Sequence, residues 1–205
     1  EQVFKKYGKK VEKIYNGYEF DEIRRKSNEE EKEFCDIISI GRLDKNKNIS
    51  LLIDAVYRLK DKLPNVKVNI LGDGEERKEL ERKVKEFNLE DNVKFKGYIN
   101  NPYPYIKNSK VLSVTSYVEG FPTVIVEAMS LGCTFVSTDI GGAEELSDNG
   151  TCGIIIKRDS KELSEKLYEI LTDDKMREKM KLSSIKNASK YSIDNQIRLL
   201  KEIMD

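Results

Sequence analysis

Two glutamates, Glu119 and Glu127, stand eight positions apart in the stretch Glu119-Gly120-Phe121-Pro122-Thr123-Val124-Ile125-Val126-Glu127-Ala128-Met129. The stretch follows a short apolar run, Val111-Leu112-Ser113-Val114, that reads as a buried strand. Pro122 suits the first turn of a helix, where its missing N–H leaves nothing unpaired. Gly132 is a natural stop after Leu131. The predicted unit is strand, loop, helix, with one carboxylate on the loop and the other inside the helix. Val124, Ile125, Val126, Ala128, Met129 and Leu131 make that helix apolar nearly all round. A charge among them is costly to bury without a partner. Glu127 therefore either lies on a solvated edge or against a structural arginine, or joins Glu119 in facing a polyhydroxylated ligand at the mouth of a sheet.

Cations fall at a comparable place earlier in the chain. Gly41-Arg42 leaves the predicted strand Asp36–Ile40, and Lys47 opens the helix that follows. Two cations at a helix N-terminus make an anion site, suited above all to a diphosphate; the competing reading is a pair of ordinary surface cations. A second strand, Val66–Leu71, closes on Gly72-Asp73-Gly74. The dinucleotide fingerprint needs a third glycine at position 77, which is Arg77, and no Walker A pattern is present. A nicotinamide or flavin cofactor and nucleoside triphosphate hydrolysis are thereby disfavoured. In open parallel sheets ligands bind at the carboxyl ends of strands. Collected there, two cations and a helix N-terminus suit a diphosphate, and two carboxylates beside glycines suit sugar hydroxyls. The constellation fits a nucleoside diphosphate sugar.

Composition narrows the chemistry further. The chain has 205 residues, with Lys+Arg and Asp+Glu both at 37 and no histidine. The balanced charge gives no basic excess for nucleic acid. Without histidine the usual general base, the Ser-His-Asp and Cys-His arrangements and most transition-metal sites are missing. Cys35, Cys133 and Cys152 are scattered, without a CxxC spacing. They read as small core residues in a reducing compartment rather than a disulfide framework. No apolar run approaches the ~20 residues of a membrane span, and no signal-peptide pattern opens the chain.

The elements that must position these residues alternate. Strands are expected at Asp36–Ile40, Val66–Leu71, Val93–Phe95, Val111–Val114, Thr134–Ser137 and Cys152–Ile156. Helices are expected near Asn48–Asp61, Glu75–Phe87, Pro122–Leu131, Ser160–Leu171 with Ser160 as cap, and Asp173–Lys190, with a last one after Ser192. Several strands are continuous apolar runs, as in a parallel sheet covered on both faces. The expectation is an α/β fold, a doubly wound parallel sheet on a Rossmann-like plan. Residues 1–17 set Phe4, Tyr7, Val11 and Ile14 among Lys5, Lys6, Lys9, Lys10 and Lys13. This reads as a solvated amphipathic segment or a basic patch for an anionic membrane surface. Glu19–Lys32 reads as a linker or surface helix.

These motifs resemble a known family. EGFPTVIVEAM resembles the E-x7-E motif of the family 4 retaining glycosyltransferases, and GRLDKNKNISLLIDA resembles their phosphate-binding strand–loop–helix. ILGDGEERKELE, VKFKGYI, and TDIGGAEEL followed by GTCGIII come in the family's order. The resemblance covers about residues 15–191. The EGFP variant, with Pro122 where many members have glycine, resembles the branch that builds capsular, exopolysaccharide or lipopolysaccharide glycans.

The resemblance implies the GT-B architecture, of which this chain is the C-terminal, donor-binding half. Residues 1–17 are then the end of the acceptor domain and the crossover, 18–191 the nucleotide-sugar domain, and 192–205 a helix returning toward the N-terminal domain. It implies catalytic roles for Arg42 and Lys47, which neutralise the diphosphate, and for Glu119 beside the transferred sugar. It implies donor binding by Gly41, by the backbone of Gly120, Phe121 and Pro122, by the N–H groups of Thr123 and Val124, and by Glu127 on the ribose. The loop Gly97-Tyr98-Ile99 would hold the base. No cofactor or metal is implied; the donor is a nucleoside diphosphate sugar, with UDP the first expectation. The partners implied are that nucleotide sugar and a glycan or lipid-linked acceptor on the N-terminal domain, with no nucleic acid. The implied location is cytoplasmic, with peripheral contact at the inner face of the plasma membrane. The alternatives are a non-catalytic nucleotide-sugar-binding module and a GT-B sugar-nucleotide epimerase.

Overall fold

The structure, a computed structural model, describes residues 13–30 and 32–204. The lysine-rich amphipathic pattern expected over residues 1–12 lies outside the described residues.

Among the described residues six strands form one parallel sheet: β1 Cys35–Ile40, β2 Val68–Leu71, β3 Val93–Gly97, β4 Ser109–Val114, β5 Thr134–Thr138 and β6 Gly153–Ile156. Their spatial order is β3-β2-β1-β4-β5-β6. Every neighbouring pair is parallel, with Ile37 opposite Val68 on one side and Val111 on the other. This is the doubly wound Rossmann-like sheet expected from the sequence. The strand order reverses between β1 and β4, and such a switch point opens a crevice at the carboxyl ends.

Between the strands run α1 Phe20–Ser27, α2 Ile49–Lys60, α3 Arg77–Glu86, α4 Tyr103–Lys107, α5 Thr123–Ser130, α6 Ala143–Ser147, α7 Ser160–Thr172, α8 Asp174–Ala188 and α9 Ile193–Met204. Alternate strand residues point to opposite faces. Ile37, Ile70, Val111 and Val136 join Leu52, Val56, Leu163 and Leu167 from α2 and α7 in one apolar layer. Ile38, Leu112 and Phe135 join Ile125, Val126 and Met129 from α5 in the other. Cys35, Cys133 and Cys152 are buried and unbridged in this second layer. No helix among the described residues is long and apolar enough to cross a membrane.

Several local expectations shift. Of the two readings for Glu19–Lys32, linker or surface helix, the helix holds: α1 buries Phe20, Ile23 and Ser27 on one face. Strand β3 continues past Phe95 to Gly97. The cap of α7 is Asp159, whose carboxylate accepts from the Glu162 N–H at 2.8 Å, and Ser160 is already helical. An extended backbone at Asp159 lets its short carboxylate turn back onto the first turn. Pro122 likewise sits just before α5 at its cap rather than within its first turn.

The carboxyl ends of β1 and β2 approach closely. A Cβ on Gly72, whose φ is +137°, would fall 1.8 Å from the Gly41 carbonyl oxygen. Gly150, at φ +84°, faces open space. Gly150→Ala should lower the unfolding free energy by about 1–2 kcal/mol, the left-handed penalty alone. Gly72→Ala should lower it by about 3 kcal/mol or more, because backbone must also move. Urea denaturation of both variants checks the ranking, and equal losses would contradict it.

Candidate donor site at the sheet switch point

The loops after β1 and β4 are stitched to each other. The Tyr117 N–H donates to the Asn46 carbonyl at 2.8 Å. The Asn46 side chain donates to the Val118 carbonyl at 3.0 Å and accepts from the Val118 N–H at 3.2 Å. Thr115 Oγ1 donates to the Lys47 carbonyl at 2.9 Å. Behind them the Thr138 hydroxyl donates to the Ser116 carbonyl at 2.7 Å. These bonds fix two loop backbones face to face and bring residues 72 positions apart into contact. Lys47 Nζ meets Glu119 Oε1 at 2.5 Å, and the same oxygen accepts from Ser116 Oγ at 2.8 Å. A Cβ on Gly41 would lie 3.1 Å from the Lys47 stem, which would have to give by a few tenths of an ångström.

The pair lines a cavity of about 260 Å³ beyond the ends of β1 and β4. Gly41, Lys47, Glu119, Phe121, Pro122, Thr123, Val124 and Glu127 all border it. Helix α5 points its N-terminus there. No side chain caps it and no acid lies in its first turn, so the N–H groups of Thr123 and Val124 remain for an incoming acceptor. Pro122 itself has no N–H to offer.

Glu127 borders the same cavity from inside α5. Its carboxyl is pushed above the usual carboxylate range by burial, and a hydrogen bond from Tyr103 OH at 3.3 Å partly offsets that. No lysine or arginine among the described residues contributes to its charge balance. The structural-arginine alternative for Glu127 therefore has no counterpart here. Burial, with the nearby Glu127 charge, pushes Tyr103 up to about 12.

Arg42, Tyr98 and Ile99 are elsewhere. With Gly41 they border an adjoining cavity of about 330 Å³, which shares Ile40 and Gly41 with the first. Arg42 is 76% exposed and its guanidinium turns onto Asp44 at 3.3 Å, so it does not share the Lys47–Glu119 contact. Gly97 closes β3 at φ +72°, its carbonyl accepting from the Gly72 N–H at 2.7 Å. Gly97 and Gly120 border neither cavity. Phe121 is held from behind by the Tyr15 and Tyr191 rings, with centroids at 5.0 and 5.7 Å. Both tyrosine hydroxyls donate to Glu145, which also pairs with Lys13 at 2.9 Å. The segment entering the domain and the segment leaving it thus clasp the loop that carries Glu119.

Sequence reasoning missed Tyr103, Ser116 and Asn46. Ser116 lies three residues before Glu119, a spacing that reads as a helix cap rather than a loop contact. Tyr103 is 24 residues from Glu127 and carries no local signal.

Residues 19–187 match the family model described as glycosyl transferases group 1. The chain belongs to this family. It is 38% identical over 178 residues to the Campylobacter jejuni N-acetylgalactosamine-N,N'-diacetylbacillosaminyl-diphospho-undecaprenol 4-alpha-N-acetylgalactosaminyltransferase, covering 84% of this chain and 47% of that one. A second transferase of that organism, named for a GalNAc-alpha-(1->4)-GalNAc-alpha-(1->3)-diNAcBac-PP-undecaprenol acceptor, is 33% identical over 203 residues, 97% of this chain and 54% of that one. Among solved structures, Anabaena HepE in complex with UDP superposes with a TM-score of 0.84 at 23% identity, over 99% of this chain and 60% of that one. This group 1 chain spans about half the length of the curated relatives it matches. It fits the C-terminal domain of the two-domain GT-B architecture.

The half-buried Glu127 makes a testable statement about stability. The folded chain holds the Glu127 proton more tightly than the unfolded chain, whose value is near 4.5. Its contribution to stability is therefore fully present below that value and lost as pH rises through the raised folded-state value. Glu127→Gln should raise the melting temperature at pH 7.5 by about 2–4 °C, the effect of about 1 kcal/mol in a chain of this size. The gain should vanish below pH 4, as thermal scans at both pH values would show; no gain at pH 7.5 contradicts the reading.

Proposed function

We propose that this domain binds a nucleoside diphosphate sugar, with UDP as the nucleotide, and serves a retaining transfer of the sugar to a glycan or lipid-linked acceptor in cell-surface polysaccharide synthesis. The observation that carries the reading is the cavity at the switch point, where Lys47, the α5 N-terminus, Glu119 and Glu127 converge. Support comes from relatives named as transferases acting on undecaprenyl diphosphate glycans. Anabaena HepE, 25% identical in its complex with UDP-glucose, adds to it.

In this proposal the diphosphate lies between Lys47 and the N–H groups of Thr123 and Val124. Arg42 reaches it from the neighbouring cavity, where Tyr98 and Ile99 meet the base. Glu127 accepts from the ribose hydroxyls, and Glu119 faces the sugar. As the anomeric carbon–oxygen bond breaks, charge grows on the leaving diphosphate, where the cation and helix N-terminus already point. A leaving phosphate oxygen takes the acceptor's proton as the new glycosidic bond forms on the same face, so the domain needs no histidine base and no metal. The acceptor is held by an N-terminal domain, and this chain alone turns over little or nothing.

The expected division of the chain at residues 17/18 and 191/192 belongs to this proposal. The Tyr18 N–H donates to the Tyr191 carbonyl at 2.9 Å, and the Ile193 N–H donates to the Tyr18 carbonyl at 3.1 Å. The crossover and the last helix therefore run side by side. Helix α9 buries none of its residues and leaves Ile197, Leu200 and Ile203 exposed, as a brace for a second domain would. The undecaprenol named in the two relatives suits work at the cytoplasmic face of the plasma membrane.

Calorimetry with UDP, GDP and ADP tests the reading directly. Binding of one of them is expected, and folded protein that binds none sinks the proposal. Glu127→Ala should weaken that binding by about 1–3 kcal/mol, the range for unpaired polar partners. In the full-length enzyme Lys47→Ala should lower kcat by roughly 10²–10³-fold, by analogy with lost oxyanion donors. An unchanged kcat would remove Lys47 from the mechanism.

A further inference from the structure

Lys47 already has an anionic partner. Its Nζ lies 2.5 Å from Glu119 Oε1, and the two side chains are only 26% and 19% exposed. The loop stitching fixes both backbones, so this is no chance meeting of two flexible surface chains. Ser116 adds a second bond to the same carboxylate oxygen. Gly141 backs the loop so closely that a Cβ there would fall 2.4 Å from the Glu119 carbonyl oxygen, which restricts retreat on that side.

A diphosphate that reaches Lys47 must therefore share the cation with Glu119 or take it away. Two anions on one cation repel at short range in a partly desolvated site. A glycosylated diphosphate brings its own remedy, because sugar hydroxyls donate to a carboxylate turned off the lysine. A bare diphosphate brings no donor in that position. From this geometry, and resting on the donor reading above, we infer that Glu119 is a specificity-determining counter-anion. Held on Lys47, it disfavours bare diphosphates and is satisfied by donors that still carry their sugar.

The same exchange favours product release. In transfer the anomeric carbon–phosphate oxygen bond breaks, the bond to the acceptor oxygen forms, and the acceptor proton passes to the leaving phosphate. The sugar hydroxyls then leave Glu119, whose carboxylate returns to Lys47 and competes with the departing diphosphate. The contact therefore favours full donors over spent ones at a single site, with no further reactant.

Calorimetry on this chain tests the inference with three probes: inorganic pyrophosphate, UDP, and whichever of UDP-glucose and UDP-N-acetylgalactosamine binds tighter. Glu119→Gln should bind pyrophosphate and UDP roughly three- to tenfold tighter than the wild type, the net worth of one typical hydrogen bond. Its affinity for the UDP-sugar should not rise. Asp139→Asn removes an exposed carboxylate just after β5 that borders neither cavity, and should leave pyrophosphate affinity within about twofold. Glu119→Asp, one methylene shorter, should change in the same direction as Glu119→Gln and serves if that variant does not fold. Unchanged or weaker binding of pyrophosphate and UDP by the Glu119 variants overturns the inference. So does equal tightening in Asp139→Asn, which would mean that bulk charge alone is at work. If the wild type binds UDP and the UDP-sugar, either failure leaves the donor reading standing. If it binds none of the probes, the donor reading falls and the inference with it.

Discussion

Strands β1 and β4 lie at the middle of the sheet, paired on both edges and covered on both faces. Their backbone polar groups are consumed by the ladders, and most of their side chains by two apolar layers. The ends of these strands and the loops beyond them are what can meet a polar ligand, and there the chain collects its chemistry. The constraint extends to the loops. The Lys47 loop and the Glu119 loop satisfy their backbone groups on each other, through Asn46, Thr115, Tyr117 and Val118. Charge placement then follows from backbone placement, and lysine and glutamate meet because their carriers are tied.

Glu127 shows the opposite economy. It is a carboxylate on an apolar helix, supported by one tyrosine hydroxyl and raised by burial. Burial favours its protonated form, so the ionised form is the one the fold disfavours. In the proposed donor site the ribose hydroxyls would supply the donors that the packing of α5 does not. The neighbouring α5 N-terminus, with its uncapped N–H groups, likewise leaves hydrogen-bond capacity for a ligand. The clasp of Tyr15, Phe121 and Tyr191 ties this loop to the segments that enter and leave the domain.

What was legible in the sequence was local. All six strands were legible, the central ones because a parallel strand buried on both faces writes its burial directly into composition, the edge strand β3 although only its Val93 is buried. Glu119 and Glu127 were found together because one loop and one helix carry both. Lys47 was found for its place after β1, but its partner was not, since a contact across 72 residues depends on the strand order. Tyr103 was missed for the same reason. Arg42 was expected beside Lys47, yet the backbone after Gly41 turns its long side chain toward Asp44 and the adjoining cavity. Linker and surface helix stay open for α1 in the sequence because its charged residues outnumber the two apolar ones it buries, Phe20 and Ile23. Burial of one narrow face is enough once α4 and α5 are there to receive it.

The central claim is that the cavity between the β1 and β4 loops is where a nucleoside diphosphate sugar sits. An amide chemical-shift titration of this chain with a UDP-sugar tests it residue by residue. The account predicts saturable shifts at Gly41, Lys47, Phe121, Thr123 and Val124. It predicts no comparable shifts at the surface cavity bordered by Thr151, Met176, Lys179 and Ser183 on and beside α8. Shifts gathered at that second cavity, or none at all from folded protein, would contradict it.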